Sequence, residues 1–258
     1  MTNEIVETAK ATQEVAKTTG KAIDAADRIG GFFARVMHEP IEAACGMLAD
    51  TLKYKRWERQ LQLIGKAEAQ LRKRGLNDAT IRPIKPKLAL PIFQYASLED
   101  DETLHDIWAR LFVTALDPNC ETPRNAFVDI IRQLEPVDVK VLTAIYENWI
   151  KSKRELFKSL GTAVRTADIY HHPDVIQREF KRFGTEYNRY SPTIFPCPYG
   201  FIIKTVGIDE VLYRNSIDVL MRQRLVTSYD KGYYEVCITD LGVAFVEACL
   251  SEPEGETP

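Results

Sequence analysis

Few residues in this sequence are spaced as reacting groups would be. His171 and His172 are adjacent rather than three or four apart on a helix, and no cysteine stands near them, whereas metal ligation calls for such spacing. His105-Asp106 lies beside the acidic run Glu99, Asp100, Asp101 and Glu102. A carboxylate next to an imidazole can orient a general base, but no nucleophile accompanies this pair, so it reads as a surface helix pair. The acidic run lacks the alternating oxygen ligands and turn glycine of a calcium loop, and carboxylates at a helix start answer the helix dipole. No GxGxxG and no GxxxxGK followed by Ser or Thr occurs, and Gly30-Gly31 is not a phosphate loop. Cys45, Cys120, Cys197, Cys237 and Cys249 form no CxxC pair. They lie mostly among apolar neighbours, as small core residues do, and their sparseness fits a reducing compartment. These residues predict no catalytic group, no metal site and no cofactor. A nuclease using the acidic block stands as the enzymatic rival.

The charge layout is more informative. The net charge of −3 conceals a split: Thr51 to Lys87 holds eleven Lys/Arg against three Asp/Glu, or +8, leaving −11 elsewhere. The basic residues include Lys53, Arg56, Arg59, Lys66, Arg72, Lys73, Arg74, Lys85 and Lys87, and the acidic block, with Asp106, follows shortly after. Two readings compete. The basic helix and the acidic block pair with each other or are solvated faces, or the basic surface meets phosphates on lipid or nucleic acid.

The elements that must position these groups are mainly helical. Residues 3–37 carry a thin Ala/Val/Ile stripe at three- and four-residue spacings, with a bend or break expected at Gly30-Gly31 before Phe32-Phe33. Pro40 suits the first turn of a second helix, Ile41 to Lys73, with Gly75 as its stop. The segment IRPIKPKLALP, with three prolines, reads as a stiff extended connector. Residues 88–150 form an all-helical unit. Leu104, Ile107, Trp108, Leu111, Phe112 and Ala115 give a wide buried stripe, Asp117-Pro118 ends that helix, Phe127 to Leu134 mark a short one, and Pro136 opens another. A further helix is predicted over 173–190, then a proline-rich loop, SPTIFPCPYG.

The last fifty residues change grammar. Ile208 to Leu225 is predicted helical, LVTSYDKGYYEVCIT reads as two strands about an Asp-Lys-Gly turn, and Thr239 caps a final helix. Helix, hairpin, helix at this size resembles a winged-helix module. From Val211 to Cys249 four basic residues face five acidic ones, so the module lacks the basic face of a DNA reader. Arg222 and Arg224 are its candidate anion contacts. A packing or protein-contact role suits its charge better.

The expected fold is a mainly α helical bundle with long N-terminal helices and a C-terminal winged-helix-like α+β module. Its divisions are 1–80 (long amphipathic and basic helices), 81–160 (helical core), 161–250 (a helix plus the module) and 251–258 (a disordered tail). No run of 18 apolar residues and no leader-like start occurs, so the expected location is cytoplasmic, with peripheral contact at the inner membrane as an option. The residues Phe32, Phe33, Tyr54 and Trp57 are candidates for contact with an anionic membrane or another copy. Lys53, Arg56, Arg59, Arg72, Lys73 and Arg74 are candidates for anion or nucleic-acid contact.

Several segments together carry a resemblance. They are PIEAACGMLADTLKYKRWERQLQLIGKAEAQLRKRGL, IKPKLALPIFQYASLEDDETLHDIWARLFVTALDP, FVDIIRQLEPVDVKVLTAIY and ITDLGVAFVEACL. Their order and spacing resemble the Abi-alpha family of bacterial proteins, named for abortive infection, over about residues 30–150 and the last forty. Lys151 to Lys204 has no counterpart in that pattern and reads as an insertion. The resemblance implies an anti-phage defence protein without catalytic residues to carry over. It would act by self-association as a homo-oligomer and by binding, on an unidentified phage or host trigger. The alternative is a nucleic-acid-binding winged-helix regulator using the basic 51–87 helix.

Overall fold

The computed structural model describes residues 24, 27–37, 54–166, 195–229 and 233–250. The expected segments 3–23, 41–53 and 173–190, the turn at 230–232 and the tail lie outside them. The chain divides into two compact units at Arg132/Gln133. As expected, it is mainly helical with a small antiparallel sheet near the C-terminus.

In the first unit, residues 27–37 form helix α1. No break occurs at Gly30-Gly31: the helix runs through both glycines, whose Cβ positions face open space. Tertiary burial outweighs the weak helix propensity of glycine here, because Ile29, Phe32, Phe33, Val36 and Met37 are all buried. Helix α2 is Tyr54–Lys73, and Gly75 ends it in the left-handed region at φ 67° as expected. The proline-rich connector is only partly extended. Helix α3 spans Pro86–Ala96, with Pro86 at the start and Pro91 inside. An internal proline costs about 3 kcal/mol of helix stability. That cost is offset by burying Leu88, Ala89, Ile92, Phe93 and Ala96 on one face. Helix α4, Glu102–Leu116, is the centre of the unit, with eleven buried residues. Helix α5 is Ala126–Ile131.

In the second unit, helix α6 runs from Pro136 to Thr166, well beyond the expected end near residue 150. Asp138 takes the Glu135 backbone N–H, so the start of α6 is closed by its own third residue. Asp138 is itself buried, and the Ser216 hydroxyl donates to it. Strand β1, Cys197–Pro198, lies where a loop was expected. Its neighbour is β3, Glu235–Ile238, with Cys197 opposite Val236. Strand β2, Val226–Ser228, flanks β3 on the other side, so the sheet order is β1-β3-β2, all antiparallel. Between β1 and β2 come helices α7 (Tyr199–Val206) and α8 (Glu210–Arg222), and helix α9 (Asp240–Cys249) closes the chain. The order helix, strand, two helices, two strands, helix makes this a small α+β module. Thr239 caps α9 through Gly242 N–H, as its sequence position predicts.

Gly242 sits on the first turn of α9 against the carbonyl that ends the α8–β2 connection. An added Cβ would lie 2.1 Å from Leu225 O and 2.8 Å from Ile238 Cγ1. That same carbonyl accepts from Thr239 N–H and hydroxyl, so it has no freedom to retreat. Gly242→Ala is expected to destabilise the protein by about 3 kcal/mol. Gly31→Ala, on an exposed helical position with open space, is expected to stabilise it by about 0.5–1 kcal/mol. Urea midpoints of the two variants check the opposite signs.

Candidate functional site

The basic helix α2 and the acidic run meet within the first unit, and the pairing reading of the charge split holds there. Glu102, the first residue of α4, accepts from both Arg59 and Lys66, with Lys66 Nζ at 2.8 Å. Lys66 also reaches Asp106 at 2.6 Å. A second Arg59 nitrogen donates to the Asp100 carbonyl at 2.8 Å. Asp101 is the N-cap of α4, accepting from Thr103 and Leu104 N–H. The acidic run is therefore a helix start and an ion-pair seam. Hydrogen bonds from Lys66 and then Arg59 hold the Glu102 carboxyl down to about 2. For Lys66, burial opposes the charge most strongly, but Asp106 and Glu102 outweigh it and raise the amine.

His105 is not on the surface. It is fully buried, its Nε2 lies 3.2 Å from the Arg59 carbonyl, and its Nδ1 has no partner. Burial, and then the Lys66 charge, push its pKa down, so it stays neutral. The side chain thus locks α4 to the backbone of α2. The i, i+3 and i, i+7 spacing of His105 to Trp108 and Phe112 was a legible sign of a buried face, which the charged neighbour Asp106 obscured.

The remaining candidates sort by partner. Arg74 is nearly buried and pairs with the equally buried Asp117 at 3.0 Å. Burial pulls the Asp117 carboxyl up, yet the Asn119 N–H and Arg74 hold it below its ordinary value. Arg72 and Lys73 are exposed and pair with nothing among the described residues. Lys53 lies outside the described residues, as do the side chains of Tyr54, Arg56 and Trp57. Phe32 and Phe33 correct the expectation of outward contact. Phe33 packs on Phe93 with ring centroids 4.6 Å apart, Phe32 on Phe112 at 5.6 Å, and both are buried. Such rings are worth more inside an aromatic core than at a surface.

In the second unit, Arg222 and Arg224 are exposed at the C-terminal end of α8. Arg224 holds φ 60°, and bonds from Arg224 N–H to Met221 O and Leu225 N–H to Leu220 O close the helix end around it. The segment leading into β3 is tied to α8. The Tyr213 hydroxyl donates to Tyr233 O, and the Tyr233 hydroxyl donates to Asp218 at 2.7 Å. Tyr199 stacks edge-on against both Tyr213 and Tyr234, at 4.9 and 6.1 Å. None of these contacts was expected from sequence, because each joins residues 14 or more positions apart with no periodic signal.

Burial pushes the Cys197 and Cys237 thiols up to about 12 and Cys249 well above its ordinary value, so none is a thiolate at neutral pH. Among the described residues no group of three or more His, Cys, Asp or Glu side chains could hold a metal ion. Among the same residues no helix is long and apolar enough to cross a membrane.

A helical unit braced by an internal ion-pair seam, followed by a small α+β module with a three-stranded antiparallel sheet, is the class this geometry defines. The chain belongs to the abortive infection alpha family, whose model matches residues 58–249. The match starts later than the resemblance read from sequence and runs through 151–204, the stretch read there as an insertion. Comparison with curated proteins and with solved structures finds no match.

Two tests follow from the seam. Since the buried His105 resists protonation, the unfolded chain binds that proton more readily. Stability is then fully present above the ordinary imidazole pKa of about 6.5 and falls as pH drops below it. Glu102 adds a second, separate loss, from about 4.5 down to about 2. In His105→Gln the decline between neutral pH and about 5 is expected to flatten while the lower one persists. Urea midpoints across pH check this. Asp117→Ala, which strands a buried Arg74, is expected to cost about 3 kcal/mol. By the same measurement Glu102→Ala, on an exposed partner, costs far less.

Proposed function

We propose that this chain serves abortive-infection-type defence in bacteria and acts through self-association and binding, not catalysis. Its winged-helix-like module is the docking element. One observation carries the second half of that reading: the acidic run, the best enzymatic candidate in the sequence, is engaged in building the fold. Glu102 and Asp106 hold Lys66, and Asp101 caps α4. Family membership supports the first half.

The nucleic-acid reading of the 51–87 helix loses four of its cations. Arg59 and Lys66 are bound to Glu102, Arg74 is buried against Asp117, and the Arg82 guanidinium donates to backbone carbonyls. Membrane contact through Phe32 and Phe33 is no part of the proposal, since both rings are core.

Phage challenge of a bacterial strain expressing the chain tests the reading. Culture survival at low multiplicity with collapse at high multiplicity is the expected outcome. Asp100→Ala is expected to leave that protection unchanged, because its side chain is exposed and only its carbonyl meets Arg59. Loss of protection in a folded Asp100→Ala protein would restore the nuclease reading. Asp101 is unsuited to the test because it caps a helix.

A further inference from the structure

Two surfaces of this chain carry opposite charge, and each offers what the other lacks. The first is a basic end of the first unit. The Ile84 N–H donates to Val36 O, the Arg82 N–H to Leu116 O, and Arg74 pairs with Asp117. The C-terminal ends of α1, α2 and α4 therefore gather around the 74–84 segment. Arg72 and Lys73 stand in the last turn of α2, Lys85 is the N-cap of α3, and Lys87 lies in the first turn of α3. All four are exposed and none has a partner among the described residues. Cations at a helix C-terminus suit its dipole. Lys85 and Lys87 sit at a helix N-terminus, where cations are unfavourable and no acidic residue offsets them. Their local cost calls for an anionic surface outside the unit.

The second surface is the N-terminal end of α8 with the start of β3. Tyr234 is 63 % exposed and packs edge-on against Tyr199, and Val211 and Leu212 in the first turn of α8 are exposed at 66 % and 45 %. Asp209, Glu210 and Glu235 border it, and among the described residues Arg214 is bonded there, held by Glu210 at 2.7 Å. An exposed tyrosine beside acidic groups suits a cationic partner surface, through the ring face and the carboxylates together.

Building on the self-association proposed above, we infer that the Tyr234-bearing acidic face of one copy receives the basic end of a second copy. The occupant is a second copy because the chain itself carries both charged surfaces: exposed Arg72, Lys73, Lys85 and Lys87 on one, and Asp209, Glu210 and Glu235 on the other. The two patches differ, so the contact is head-to-tail. It generates a ring if the rotation closes and a filament if it does not.

Charge exchange tests this in the full-length protein. By sedimentation velocity, the wild type is expected to associate with rising concentration and to dissociate as salt is raised. Lys85→Glu with Lys87→Glu, and separately Glu210→Lys with Glu235→Lys, should each weaken association about tenfold. An equimolar mixture of the two variants should restore it, because each repaired contact then joins opposite charges. Tyr234→Ala, which removes an exposed ring without touching charge, should also weaken association. Thermal midpoints near the wild-type value confirm that each variant is folded. A wild-type protein that stays monomeric at every concentration overturns both self-association and this interface. A wild-type oligomer that ignores both charge reversals, or a mixture that stays dissociated, overturns this interface alone.

Discussion

Helix α4 is apolar on almost every side, and a helix buried that fully cannot leave its end groups to water. The first unit is arranged around that constraint. At its start, Asp101 takes two of the free N–H groups. At its end, the Arg82 guanidinium donates to the Ala115 carbonyl at 3.2 Å and reaches the Cys120 carbonyl, while Arg82 N–H meets Leu116 O. A planar five-donor group suits several carbonyls converging from one helix terminus. The flanking charges are secondary braces on the same helix: Arg59 and Lys66 at its first turn, Arg74 just past its last.

That dependence explains which parts of the fold were legible. The α4 stripe, the Thr239 cap and the Gly75 stop announce themselves by period or residue type over a few positions. The charge split was legible too, and pairing with the acidic block was one of the two readings it allowed. Other features turn on energies the local pattern does not contain. Pro86 and Pro91 argue for an extended chain, yet α3 forms because its apolar face has a core to enter. Gly30-Gly31 argue for a break, yet the phenylalanines that follow pull the helix through. His105 looked like a surface group because Asp106 is charged, although its helix face is otherwise apolar. Phe32 and Phe33 looked available for outward contact because nothing in sequence names Phe93 and Phe112 as their partners.

The same logic separates the candidate cations. Sequence treats Arg59, Arg72, Lys73 and Arg74 alike. Structure divides them by what they touch: Arg59 and Arg74 complete an ion pair each, and Arg72 and Lys73 face solvent. A basic stretch can thus serve both as internal mortar and as outward charge, according to whether an acidic partner stands opposite each cation. Net charge over a window cannot report that division, because the deciding partners, Glu102 and Asp117, each lie 43 residues further along the chain.

The segment leading into β3 in the second unit is fastened to α8 by two phenol hydroxyls working in opposite directions. Tyr213 on the helix reaches the Tyr233 carbonyl, and the Tyr233 hydroxyl reaches Asp218 on the helix. Through the Ser216–Asp138 bond α8 is tied in turn to the first turn of α6. The start of β3 and the start of the long helix are thus joined through a single intervening helix, so a displacement of Tyr233 is shared with Asp138 by way of α8.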